Sequence, residues 1–225
     1  MELFAGFLLG IIASGFAAVV FDFATGPRLE IMLDSGARAL GDLPAGTRME
    51  YQHVLVRNAR TKWALPGRRP AWACQATVTV FKWTGEPLTT VPIRARWASQ
   101  PAPVSSFVVG DRIIQAADMA KIIAGRRLDI YTHQDERLTI ALKHQGRPEL
   151  HLFTNESYQF ERGCNPAWRL DAGTYRLRVA IHYERGEVVQ DFELGNTGVN
   201  LEDVKIRLWS DKAAQHGLQP PAAGP

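Results

Sequence analysis

The chain has 225 residues, 26 basic against 23 acidic, for a net charge of +3 and a pI near 9.0. So mild a cationic excess does not by itself imply nucleic acid. The two cysteines, Cys74 and Cys164, are too far apart for a CxxC metal knuckle and support at most one disulfide. What remains is a chain whose middle, roughly 180 residues between an apolar start and a polar tail, suffices for one domain with a substantial core or two small ones.

The chain opens on LFAGFLLGIIASGFAAVVF, residues 3–21, where Ser14 is the one polar side chain. As a helix this run covers roughly 28 Å, close to the ~30 Å of a bilayer's hydrocarbon. A cleaved signal peptide needs a basic leader, a shorter apolar core and a small-x-small cleavage site. Here the one early charge is Glu2, and Val19, Val20 and Phe21 give way to Asp22 and Phe23 without such a site. An uncleaved single-pass transmembrane helix is therefore predicted, ahead of a signal peptide or a buried core helix. No Lys or Arg precedes the span and Arg28, Arg38 and Arg48 follow it, which favours a cytoplasmic location for the bulk of the chain. Asp22, Glu30, Asp34 and Asp42 share that flank, and the rule counts cations alone. Gly6, Gly10, Ser14 and Ala18 recur every four residues, a GxxxG step extended by two more small residues, and predict parallel pairing of two helices into a homo-dimer. The competing reading is that small residues are simply common in membrane helices.

Strand periodicity begins at residues 51–58, YQHVLVRN, and continues at 75–81 and 91–97, with WTGEP supplying the turn between the latter two. Between the first two strands lies RNARTKWALPGRRPAW, residues 57–72. It carries Arg57, Arg60, Lys62, Arg68 and Arg69 without one acid, interleaved with Trp63 and Trp72. Beside a bilayer such a loop rests its cations on anionic headgroups and its indoles at the interface. An acidic partner uses the same chemistry, and so does a plain solvated hairpin whose tryptophans return to the core. Cys74, in the strand region after it, reads as a small buried hydrophobe, reduced if the domain faces the cytoplasm.

One short surface helix is predicted over 111–124, DRIIQAADMAKIIA, with Asp111 as its cap. Strands follow at 137–143 and 149–154, around a loop containing Gly146 and Pro148. Others lie at 174–183 and 188–194, around Glu184 to Glu187, and at 201–209. Short strands with turns every ~8–12 residues predict a mainly β fold, an antiparallel sandwich. The domains are thus 1–27, the transmembrane anchor and its flank; 28–210, the β-sandwich; and 211–225, a Pro- and Ala-rich disordered tail.

LDAGTYRLRV, residues 170–179, resembles the L-x-x-G-x-Y-x-L-x-V entry to the penultimate strand of immunoglobulin-like and fibronectin-III-like sandwiches. That likeness implies that Tyr175 turns its hydroxyl back onto the preceding turn. Over most of the chain, the order of anchor, PRLEI, VLVRN, LDIY, NESY, NPAWRL, GTYRLRV and FEL is similar to uncharacterised prokaryotic single-pass membrane proteins, a likeness that implies no activity. The Cys, Trp, Cys spacing of antibody domains is missing.

Chemical signatures are few. His53, His133, His144, His151, His182 and His216 form neither H-x₃-H nor HExxH, so no metal site is predicted. His133, Asp135 and Glu136 lie together in HQDER, where charges more often solvate a turn than catalyse. Asn155-Glu156-Ser157 fits a glycosylation acceptor but reads better as a turn held by its own side chains. No P-loop or GxSxG occurs, and no cofactor is predicted. The favoured function is a non-enzymatic membrane-anchored interaction module, its partners being the bilayer, a second copy and an unidentified protein, with nucleic acid disfavoured. The alternative is a membrane-tethered enzyme or ligand sensor whose site gathers scattered residues; a concave pocket with convergent acids and bases marks it.

Overall fold

The computed structural model describes residues 2–35, 39–42, 48–59, 69–110 and 112–210. Within these, the side chains of 2–9, 23, 39–42, 112 and 113 are not described. Arg38, Arg60, Lys62, Trp63, Arg68, Asp111, His216 and the predicted disordered tail all lie outside.

The apolar start forms one helix, α1 (Glu2–Thr25). It stops at a local signal: Gly26 N–H donates to Asp22 O at 2.8 Å, a β-carbon there would lie 2.9 Å from that oxygen, and Pro27 has no N–H to continue the ladder. The chain then runs through β1 (Leu29–Leu33), β2 (Ala39–Asp42), β3 (Arg48–Asn58), β4 (Ala71–Lys82), β5 (Ile93–Arg94), β6 (Arg96–Trp97), β7 (Val104–Val109) and β8 (Arg112–Ala117). After a short helix α2 (Met119–Ala124) come β9 (Leu128–Ile130), β10 (Asp135–His144), β11 (Leu150–Leu152), β12 (Arg169–Leu170), β13 (Gly173–Tyr183), β14 (Gly186–Asn196) and β15 (Val204–Leu208).

These strands make a mainly β, antiparallel sandwich. One sheet has seven strands, ordered β1-β3-β10-β11-β12, with β2 and β6 attached to β3 and β10. The other has six, ordered β15-β14-β13-β4-β5, with β9 attached to β4. Alternation decides which residues face inward: Val54 and Val56 of β3 and Leu138 of β10 meet Val78 and Val80 of β4, Leu177, Val179 and Ile181 of β13, and Phe192 and Leu194 of β14 in one buried core. Each such side chain contributes about 1.5–3 kcal/mol through burial. The chain crosses between sheets in five residues, since Ile93 pairs with β4 while Trp97, fully buried, pairs with β10.

Two sequence expectations are corrected. The helix predicted over 111–124 is mostly strand: β8 pairs with β7 through Val104↔Ala117 to Val109↔Arg112, turning at Gly110 (φ +65°). Helix survives only at Met119–Ala124, and its cap is Asp118, whose side chain accepts from the N–H groups of Ala120 and Lys121. The β-branched Ile113 and Ile114 fit a strand once SSFVV lies opposite. Residues 137–143 also do not alternate in burial, because β10 is covered on both faces from Leu138 to His144, with a bulge between Thr139 and Ala141.

Candidate functional site

The exposed part of α1 has no polar face. Ile12, Phe16 and Val19 are 66%, 70% and 68% exposed, and every residue from Gly10 to Phe21 is open to solvent. Successive positions of a helix point 100° apart, so this exposure encircles it. Counted over residues 10–22, whose side chains are described, α1 is short, and no helix among the described residues is long and apolar enough to cross a membrane. The four-residue stripe is accessible along its described part: a β-carbon on Gly10 meets nothing within 4 Å, and Ser14 Oγ donates to Ile11 O at 2.9 Å. The side chain position of Gly6 lies outside the described residues.

At the foot of α1 the helix is fastened to the sandwich. Asp22 takes a close ion pair from Arg185, in the β13–β14 turn, and a looser one from Arg69 at 3.4 Å. Buried Asn58 is the staple beneath. Its Oδ1 accepts from Arg28 N–H at 3.0 Å, and its Nδ2 donates to the carbonyls of Arg69 and Ile130, each at 3.2 Å. Arg69 N–H donates to Thr25 O at 2.9 Å and Ala59 N–H to Arg28 O at 2.8 Å. Both ends of the basic loop, Ala59 and Arg69, are therefore tied down where the helix leaves the sandwich.

The described members of that loop are engaged one by one. Arg57 forks onto Asp135 with two bonds of 2.5 Å, Arg69 reaches Asp22, and Trp72 packs edge-on against Tyr131 with ring centroids 5.9 Å apart. Trp72 is 41% exposed, so it does not return to the core. Arg60, Lys62, Trp63 and Arg68 are among the residues not described.

The HQDER tract is split by strand alternation. Asp135 is exposed and bound to Arg57, whereas Glu136 is buried and accepts from Ser99 Oγ at 2.6 Å and from Gln134. The two carboxylates serve opposite faces. Asn155 and Ser157 are buried in a 3₁₀ turn; Ser157 Oγ accepts from Thr154 N–H at 3.0 Å, the local role expected of it, whereas Asn155 Nδ2 reaches out of the turn to Ile122 O at 3.5 Å.

The end of the sandwich remote from α1 carries polar groups that one sequence does not reveal. Lys143 is fully buried and donates to Pro148 O (3.1 Å), Asn196 Oδ1 (2.8 Å) and Gly198 O (2.7 Å), with burial pulling its ammonium below the usual lysine range. Nearby, Cys164 Sγ lies 3.3 Å from His144 Nε2. Burial pushes the thiol up and the imidazole down, so both groups stay neutral rather than forming a thiolate–imidazolium pair. Cys74 is a free, fully buried thiol pushed up to about 12, mainly by burial, and Cys164 is also free. No group of three or more metal-ligating side chains occurs among the described residues.

A cavity of about 440 Å³ opens between β3 and β15, lined by Asp34, Ser35, Glu50, Gln52, His53 and Arg207 among others. Its acids are occupied: Glu50 accepts from Gln52 Nε2 at 2.7 Å and Asp34 holds Arg137 at 2.7 Å. His53 is kept neutral by burial, and its Nδ1 has no partner among the described residues. Ser35 shares the cavity, yet no hydrogen bond joins it to His53 among the described residues.

The β7–β8 ribbon belongs to neither sheet. Its base packs near Met49, Tyr51 and Phe153 around a hollow of about 330 Å³, while Phe107, Val108, Val109 and Ile114 near its tip are exposed, Val108 by 76%. Comparison with family models, with curated proteins and with solved structures returns no match.

Proposed function

We propose that this chain is a membrane-anchored, immunoglobulin-like sandwich acting as a non-enzymatic interaction module. What carries the reading is α1: an apolar rod whose residues 10–21 are exposed all round, fixed to the sandwich at its C-terminal foot and not covered by the described residues of the rest of the chain. The run from residue 3 to residue 21 has the length a single pass needs. Further support comes from the foot, where Trp72, Tyr131, Arg69 and Arg185 suit a membrane–water interface, and where the cationic loop has both its ends. The Gly6, Gly10, Ser14, Ala18 stripe is the proposed face for pairing two copies, and the apolar β7–β8 tip the face offered to a protein partner. The immunoglobulin-like assignment draws on Tyr175, whose hydroxyl donates to Asp171 O at 2.9 Å across the turn before β13. We place the sandwich on the cytoplasmic side, from the arginines that follow the span.

The experiment is alkaline carbonate extraction of native membranes containing the full chain. Retention in the pellet is expected, and release into the supernatant contradicts the anchor. The cavity lined by Glu50, Gln52 and His53 favours a second reading, a tethered ligand sensor. Thermal stabilisation of the purified full chain in a screen of small polar compounds, abolished by Glu50→Gln, is the result that reading requires.

A further inference from the structure

We propose that the foot of α1 is a binding site for one anionic phospholipid, with its phosphate held by Arg69 and Arg185 and an acyl chain laid along the last turns of the helix. This rests on the anchor reading above and adds to it a ligand class and an address.

Two hollows meet at Arg69. One, about 590 Å³, follows the helix past Ala18, Val19 and Phe21 to Asp22. The other, about 240 Å³, lies at the end of the sandwich, where Trp72 and Tyr183 stand beside Arg69 and Arg185. An open apolar face of the helix that leads to two guanidiniums edged by aromatic rings has the polarity profile of an amphiphile. A free phosphate has a use for the guanidiniums and none for the apolar helix face.

Charge is consistent with one bound anion. Asp22 is closely paired with Arg185, while Arg69 stands 3.4 Å off, and that is the one ion pair Arg69 makes among the described residues. Glu184 lines the headgroup hollow and opposes an anion on that side, which places the phosphate toward Arg69. The root of Arg69 is fixed beforehand, its N–H on Thr25 O and its carbonyl taking Asn58 Nδ2, so little ordering is left to the ligand. Such a site was not legible in sequence, because residues 18, 69 and 185 meet only through the fold.

The test uses the full chain in phosphatidylcholine nanodiscs carrying a minor fraction of brominated lipid, either phosphatidylglycerol or phosphatidylcholine. Quenching specific to Trp72 is read as the difference between the wild type and Trp72→Phe. The brominated phosphatidylglycerol is expected to quench with about fivefold preference, the value of one cation at headgroup level. Arg69→Gln should erase that preference, and added inorganic phosphate should not displace the lipid. Equal quenching by the two headgroups, with the chain still embedded, overturns the site and leaves the anchor standing. Loss of quenching on adding phosphate assigns the pocket to a free anion and overturns the lipid. Release of the chain from the disc overturns the anchor and the site together.

Discussion

The helix and the sandwich are both rich in apolar side chains and dispose of them in opposite ways. In the sandwich, Leu177, Ile181, Phe192 and Trp97 lose all contact with solvent by packing sheet on sheet. In α1, Ile12, Phe16 and Val19 stand open to solvent among the described residues. Among the described residues the sandwich's apolar surface is answered from within and the helix's is not; the helix's foot is joined to the sandwich through Asp22 and Thr25.

The sharpest way to break that contrast is to truncate one side chain from each part. Phe192→Ala should lower the unfolding free energy of the sandwich by about 3–5 kcal/mol, through lost burial and the cavity left behind. Phe16→Ala should leave it unchanged. Denaturant unfolding of the full chain in mild detergent measures both, and a comparable loss in Phe16→Ala would mean that α1 packs on the sandwich after all.

Next in size is Lys143→Met, which removes the donor shared by Pro148 O, Asn196 Oδ1 and Gly198 O. Leaving buried Asn196 Oδ1 without its donor should cost about 1–3 kcal/mol in the same unfolding experiment, while Pro148 O keeps Asn196 Nδ2. Tyr175→Phe deletes the hydroxyl that closes the turn onto Asp171 O and should cost about 0.5–1.5 kcal/mol. Neither variant should alter how the chain partitions into membranes, since both residues belong to the sandwich alone.

The smallest effect at neutral pH is hidden in the histidines. Burial holds His144 and His151 below the ordinary 6.5, so in the window beneath 6.5 the unfolded chain binds protons that the folded chain refuses. Their contribution is intact above 6.5 and declines as the pH falls through that window toward their folded values. Urea midpoints measured across this window should drop on acidification, and the double variant His144→Gln, His151→Gln should flatten the drop. Carboxylates lowered by arginine partners, such as Asp135 beside Arg57, act further down, below the ordinary 3.8.

Where the chain alternates, it was readable. β13 and β14 fall nearly where residues 174–183 and 188–194 predict them, because their inner and outer faces differ in polarity and Tyr183↔Gly186 closes a tight hairpin. Where tertiary context intervenes, it was not. Residues 111–124 offer helical spacing of Ile and Ala, and only the opposite strand β7 makes β8 a strand. β10 hides its alternation because both of its faces are buried from Leu138 to His144. The foot of α1 eluded sequence reading for another reason: Asp22, Asn58, Arg69 and Arg185 come from four separate regions, and Asn58 resembles any strand-end asparagine until its three bonds are seen. Of the predicted basic loop, Arg57 turned out to be bound to Asp135 within the sandwich, while Arg69 and Trp72 belong to the foot.

We propose that α1 answers to a lipid phase and the sandwich to itself. In alkaline carbonate extraction of membranes holding the full chain, the chain should stay with the lipid pellet and leave it only with detergent. Quantitative release into the carbonate supernatant would contradict it.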